Sequence, residues 1–221
     1  MKDALRAEDL VALLARLKAL MEEKKEFLIE LDGKVGDSDL GITMSKGFAA
    51  AADAVTGSTD PAGKLLARAG MAIARAAPST MGTLVATGFM RGGKALEGVD
   101  VLRTGEMRRF WRAFLDGIVE RGKAKPGDKT VVDALLPLVN ALERAEADGA
   151  DLAAALDAAA AAAAGGVEAT KDMVSQRGRA AAFQEKTRGI PDAGATVGLM
   201  IVEAFRDFVA ERTQASGGAH P

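Results

Sequence analysis

Asp32, Asp37 and Asp39 fall in one short stretch, Leu31-Asp32-Gly33-Lys34-Val35-Gly36-Asp37-Ser38-Asp39-Leu40-Gly41. Carboxylates this close repel one another and raise one another's pKa unless a cation sits among them. Hard carboxylate oxygens favour Mg²⁺ or Ca²⁺ over softer metals. The interspersed glycines permit the sharp backbone path that would converge the acids. An EF-hand fails on spacing, because a loop starting at Asp37 needs a glutamate where Phe48 stands. The stretch therefore reads as a Mg²⁺ cluster with open positions for water or phosphate. The plainer alternative is a solvated turn in which Asp39 caps the next helix.

Four other segments carry groups suited to anions. Arg121-Gly122-Lys123-Ala124-Lys125-Pro126-Gly127-Asp128-Lys129-Thr130 is a basic turn feeding a helix start, where backbone N–H groups can meet phosphate. It lacks the residue order of a P-loop, and a solvated basic turn is the simpler reading. Ser79-Thr80-Met81-Gly82-Thr83 puts hydroxyls at a helix start, which also suits an ordinary cap. Gln176-Arg177-Gly178-Arg179-Ala180 offers guanidinium groups beside glycine for bidentate anion contact, or simply surface arginines. Gly189-Ile190-Pro191-Asp192-Ala193-Gly194-Ala195-Thr196 is a tight turn opening the last helix, with Asp192 a ready cap.

Other chemistries are ruled out by composition. The 221 residues include no Cys and one His, His220, the penultimate residue. Disulfides, thiolate metal sites, Ser-His-Asp triads and His-ligated zinc all fall away, and any metal must be held by oxygen. The 29 Lys and Arg against 31 Asp and Glu give a net charge of -2, which argues against a nucleic-acid partner. The first ten residues are charged and lack the apolar core of a signal peptide. The alanine-rich run 152–167 contains Asp157 and is too short and weakly apolar for a bilayer span, so the expectation is a soluble cytoplasmic protein with no membrane partner.

Helices joined by turns must position these groups. Leu10, Leu13, Leu14, Leu17 and Leu20 mark one helical face that continues to about residue 31. Further helices are expected over 42–55; over 61–76, with Asp60 as N-cap and Pro61 first; and over 81–96. Thr104 and Asp128 are candidate caps of helices reaching about 121 and 147, the latter bent by Pro137. Asp151 caps an alanine-rich helix to about 174, whose composition points to close packing, and the last helix covers about 195–212. That makes about eight helices with no convincing strand: an all-α bundle in a single domain over 1–213, followed by a flexible C-terminal tail over 214–221.

Taken together and in this order, the segments resemble the L subunit of dihydroxyacetone kinases, the nucleotide-binding DAK2 domain, over nearly the whole chain. Asp32 with Gly36-Asp37-Ser38-Asp39-Leu40-Gly41 carries the resemblance, as do Arg121-Gly122-Lys123-Ala124, Pro126 to Thr130, Gly178-Arg179-Ala180 and Asp192 to Thr196. The resemblance implies an eight-helix antiparallel barrel-like bundle with ATP or ADP at one end. It implies that Asp32, Asp37 and Asp39 hold two Mg²⁺ ions, and that no catalytic residue stands on this chain beyond these ligands. It places Leu40, Gly41, Ile42 and Thr43 with Ser79 and Thr80 at the phosphates, and Gly122, Val131, Arg179, Asp192, Ala193 and Gly194 around the nucleotide. The acceptor is then a small ketose or related sugar derivative held by a separate K subunit or domain, whose ketose-binding His has no counterpart here. Two departures, Leu40 where the family often has His or Cys and Ser79-Thr80-Met81-Gly82-Thr83 in place of a Ser-Gly form, loosen the link to dihydroxyacetone itself.

Phosphoryl transfer needs positioning and charge neutralisation more than a protein nucleophile, which agrees with the residues present. The leading expectation is a kinase subunit using MgATP. Alternatives are an ADP-carrying subunit rephosphorylated by a phosphotransferase-system phosphohistidine protein, and a non-catalytic nucleotide-binding module. The nucleotide-binding component of fatty acid kinase shares the domain but is much longer. Homodimer formation stays open.

Overall fold

The computed structural model describes residues 4–217; His220 and the rest of 218–221 lie outside them. Among the described residues there are nine α-helices: α1 (Ala7–Glu23), α2 (Lys25–Gly33), α3 (Leu40–Val55), α4 (Ala62–Ala76), α5 (Thr80–Ala95), α6 (Thr104–Gly122), α7 (Val131–Ala147), α8 (Leu152–Ala169) and α9 (Ala193–Gly217). The only β-type pairing among them is a single bridge between Leu5 and Leu102. The expected first helix is broken at Lys24 (φ -87°, ψ 3°), inside a run of charged residues with no Gly or Pro to announce it.

With α1 and α2 counted as one stave, the helices close into a ring. Each of α1, α3, α4, α5, α6, α7, α8 and α9 packs on the next, and α9 returns to α1. This is the antiparallel eight-stave barrel that the resemblance implied. Inside it, Phe48, Phe89, Phe110, Trp111, Phe114 and Phe205 are buried and meet ring to ring, with Phe89–Phe114 centroids 5.4 Å apart. Edge-on aromatic pairs of this kind add about 0.5–1.5 kcal/mol each beyond the area they bury.

The alanine-rich α8 buries Leu152, Ala155, Leu156, Ala159, Ala160 and Ala163 between α7 and α9. Residues 152–172 are in fact long and apolar enough to cross a bilayer by length and composition, unlike the expectation, but almost half of that stretch is inside the bundle.

Capping settles several local choices differently from the sequence. Asp151 caps α8 as expected, accepting from the Ala154 N–H at 2.8 Å. At α4, however, the cap position is Pro61, while Asp60 accepts from Ser58 and Arg68. Thr104 is already helical and donates to the Ala150 carbonyl, leaving Glu106 to accept from the Arg103 N–H. Thr130, not Asp128, caps α7, in a reciprocal box with Asp133. Pro137 lies within α7, which continues through it. The alanine-rich helix ends at Ala169, giving way to 3₁₀ turns at Thr170–Asp172 and Arg179–Thr187. α9 continues past the expected end at Arg212 to Gly217.

Candidate functional site

The ring alternates in direction, so one end collects the C-terminal ends of α2, α4 and α6 and the starts of α3, α5, α7 and α9. A cavity of about 900 Å³ opens there. Its walls are built from Asp32, Leu40, Ala74, Thr80, Ile118, Gly122, Val131 and Ala193, one or more from each of those seven termini. Four helix N-termini facing one space turn their positive dipole ends toward it, an environment that attracts anions.

Asp32, Asp37 and Asp39 meet at the rim, each offering a carboxylate oxygen, all within 4.8 Å of one another. Their positions are built by the backbone. The Oδ2 atom of Asp32 accepts from the N–H groups of Asp39 (3.1 Å) and Leu40 (3.4 Å), which folds the loop back on the end of α2. Ser38 takes a left-handed φ of 61° to bring its two neighbours to the same side. Gly36 is required by close approach: a Cβ there would stand 2.3 Å from Oδ1 of Asp32. Burial, then the charges of Asp37 and Asp32, push the Asp39 carboxyl above the ordinary carboxylate range. Arg179 offsets part of this charge through Nε, 2.8 Å from Oδ2 of Asp37. An all-oxygen set of three convergent acids with open faces fits Mg²⁺.

The Gly36 contact carries its own expected result. In Gly36→Ala the new methyl displaces the Asp32 carboxylate, which is already tied down by two N–H groups. Titration with Mg²⁺ or Mn²⁺ in a calorimeter should show affinity falling roughly tenfold or more, the size seen when a ligand's orientation is lost. Unchanged affinity would mean that Asp32 is not a ligand.

Of the other sequence-derived positions, Leu40, Ser79, Thr80, Gly122, Val131, Arg179, Asp192, Ala193 and Gly194 all line the cavity. Gly41, Ile42 and Thr43 do not. Gly41 lets α3 cross α2, since a Cβ there would meet the Lys25 carbonyl at 2.1 Å; Ile42 is exposed and Thr43 buried. Ser79 caps α5, its hydroxyl accepting from the Gly82 N–H at 3.0 Å. Asp192 caps α9, accepting from the Ala195 N–H at 2.7 Å. Burial raises the Asp192 carboxyl to about 7, and Asp133 adds to the rise. Leu40 is nearly buried, an apolar side chain in the cavity wall.

Sequence reasoning missed Lys129. The solvated basic turn expected at 121–130 instead delivers this side chain into the interior, 2% exposed and among the cavity-lining residues. Asp128 holds the same turn by accepting from the Lys125 N–H (2.9 Å) and from Arg177 Nε (2.9 Å), contacts that lower its pKa. The four described non-glycine residues with left-handed φ are Ser38, Lys123, Lys129 and Gln184. All fall in the connections at this end of the barrel, where strained backbone commonly marks a working site.

Comparison with known proteins identifies the family and the fold. The sequence profile of the DAK2 domain matches residues 34–207. The ADP-binding subunit DhaL of the PEP-dependent dihydroxyacetone kinase of Escherichia coli is 30% identical over 191 residues, 86% of this chain and 91% of that subunit. The L-erythrulose kinase of Pectobacterium atrosepticum is 38% identical over 184 residues, 79% of this chain but only 30% of the kinase. The dihydroxyacetone kinase of C. freundii, solved with AMP-PNP and Mg²⁺, superposes with a TM-score of 0.68 at 24% identity, covering 89% of this chain and 33% of that one. The chain thus spans nearly all of a DhaL subunit and about a third of the longer kinases.

Proposed function

The chain belongs to the DAK2 domain family, and from that premise we propose that it is the nucleotide-binding unit of a dihydroxyacetone-kinase-type phosphotransferase, working in the cytoplasm on a small ketose or related sugar derivative held by a separate K subunit. The observation that carries this reading is the meeting of Asp32, Asp37 and Asp39 at the mouth of a cavity faced by four helix N-termini. The three aspartates hold Mg²⁺, two ions by the family pattern, which when bound neutralises the polyphosphate and clamps the transferring group. The starts of α3, through Leu40, and of α5, through Ser79 and Thr80, face the phosphates, while Gly41, Ile42 and Thr43 stand outside the cavity wall. Gly122, Val131 and Asp192-Ala193-Gly194 enclose the rest of the nucleotide. Arg179, already paired with Asp37, adds a guanidinium beside the phosphates. The apolar wall of Leu84, Ile118, Val131 and Val132 suits a purine ring.

A second reading concerns the donor. The Escherichia coli relative, spanned almost end to end, is named an ADP-binding subunit of a PEP-dependent kinase. On that pattern the nucleotide is a fixed cofactor, rephosphorylated by a phosphotransferase-system phosphohistidine protein. Chromatography with mass detection of nucleotide released from exhaustively desalted, denatured protein separates the two. Stoichiometric ADP supports the carrier. An empty protein that binds MgATP reversibly supports the ATP-dependent kinase. Empty protein that binds neither MgADP nor MgATP would overturn both.

A further inference from the structure

Between residues 170 and 192 the chain leaves the barrel and folds back over the cavity, supplying Ser175, Arg177, Gly178, Arg179 and Asp192 to its wall. A segment of this length needs something to hold it, yet its buried residues are Thr170, Ser175 and Thr187, all hydroxyl side chains. No apolar side chain in it is fully buried. At its base sits the Lys129 ammonium. Nζ donates to the carbonyls of Thr170, Thr187 and Ile190, each at 2.7 Å, with the Met173 carbonyl at 3.3 Å. Two of these carbonyls come from the outgoing limb and two from the returning limb.

Three further hydrogen bonds join the two limbs around that point. The Asp192 N–H donates to the Thr170 hydroxyl (2.9 Å), the Gly189 N–H to the Lys171 carbonyl (2.8 Å), and the Ser175 N–H to the Thr187 hydroxyl (3.1 Å). The Gln176 N–H reaches the Asp128 carbonyl at 3.0 Å, tying the segment to the turn that carries Lys129. An ammonium has three protons, and here neutral carbonyls take all three, so Lys129 has none left for a phosphate. Carbonyl cages of this composition are what K⁺ occupies in selective filters.

We propose that Lys129 is a positioning residue whose ammonium serves as a tethered monovalent cation, closing the 170–192 segment over the nucleotide cavity. Residue and cage form one site, and the site accepts K⁺ or NH₄⁺ when the tether is removed. The structural part of this stands on the cage alone; its effect on ADP rests on the nucleotide reading above.

The test compares wild type, Lys129→Ala and Lys129→Met in tetramethylammonium, K⁺ and NH₄⁺ chlorides at equal ionic strength. Hydrogen exchange of peptides covering 170–192 is the primary readout and needs no ligand. The buried Trp111, in the aromatic core, reports whether the barrel itself is folded. Wild-type protection should not depend on the salt. Lys129→Ala should lose protection at 170–192 in tetramethylammonium and regain it in K⁺ or NH₄⁺. Its ADP affinity should fall and recover in parallel, about tenfold or more, as expected for leaving buried carbonyls unpaired. Lys129→Met, whose stem fills the cage without charge, should stay unprotected in every salt. Wild-type protection in Lys129→Met, or a loss in Lys129→Ala that no small cation restores, would overturn the proposal. Wild type that exchanges as described but binds no ADP would count against the nucleotide reading and leave the cage intact.

Discussion

Asp37→Ala should weaken Mg²⁺-dependent nucleotide binding by about two orders of magnitude while leaving metal-free binding intact or stronger. The opposite signs follow from what Asp37 touches. Its carboxylate is one of three whose oxygens lie within 4.8 Å, so its loss removes a third of the charge that holds the metal. The same carboxylate accepts from Arg179, whose Nε lies 2.8 Å away, and the substitution frees that guanidinium beside the cavity. Without metal, the aspartates repel a polyphosphate; removing one lowers the repulsion while releasing a cation toward it. Calorimetry with MgADP should show affinity lower by roughly a hundredfold, near 2.7 kcal/mol. With EDTA present, the variant should bind ADP at least as well as wild type. Equal loss in both buffers by a variant that melts like wild type would sink this assignment, as would unchanged MgADP affinity.

The second large effect is a pH dependence written into Asp192. Burial lifts its carboxyl from the ordinary value of 3.8 to about 7 in the folded protein. Between those values the folded chain keeps a proton that the unfolded chain releases, so unfolding gives up a proton and stability falls as pH rises. The contribution is complete below pH 4, is lost progressively up to pH 7, and is flat above it. The full shift corresponds to about 4 kcal/mol, and the partial exposure of Asp192 discounts that to roughly 2–4 kcal/mol. Asn caps a helix as well as Asp does, so Asp192→Asn keeps the start of α9 while removing the titration. In nucleotide-free protein, the melting temperature of the Asn variant relative to wild type should climb between pH 4.5 and 7.5. For a chain this long the climb is roughly 5–15 °C. The charges of Asp133 and Lys129 act on the Asp192 carboxyl and are lost from the Asn variant's titration together with it. A difference constant with pH would show that Asp192 is ionised in the folded state.

The acidic loop was legible in the sequence because its chemistry is local. Asp32, Gly36, Asp37 and Asp39 sit within eight consecutive residues, from the end of α2 to the start of α3, and the mutual repulsion of the carboxylates is argued from spacing alone. The barrel's helices were legible for a similar reason, as Leu10 to Leu20 and the alanines of α8 mark their buried faces plainly. Caps were harder. Pro126 to Thr130 contains two good candidates, and the choice of Thr130 over Asp128 rests on Asp133 completing the reciprocal pair while Asp128 is engaged by Arg177. The break at Lys24 had no breaker residue to signal it. Lys129 was illegible altogether, because its partners stand 41 to 61 residues away and are backbone carbonyls, which every residue type carries. A cation that binds only main chain leaves no complementary acid in the sequence to find.

The ring's alternating direction also decides where anything tethered to this chain must depart. Since α9 starts at the cavity and α1–α2 runs toward it, both described ends emerge at the opposite pole. The pairing of Leu5 with Leu102 and the ion pair between Asp9 and Arg212 fix them there. Staves of this length stand about 25 Å tall at 1.5 Å per residue. A fused domain meant to reach the cavity would need at least about eight extended residues of linker to travel the outside of the barrel. Shorter connections would keep it at the far pole, so affinity tags or surface anchors joined at either end should leave the cavity entrance clear.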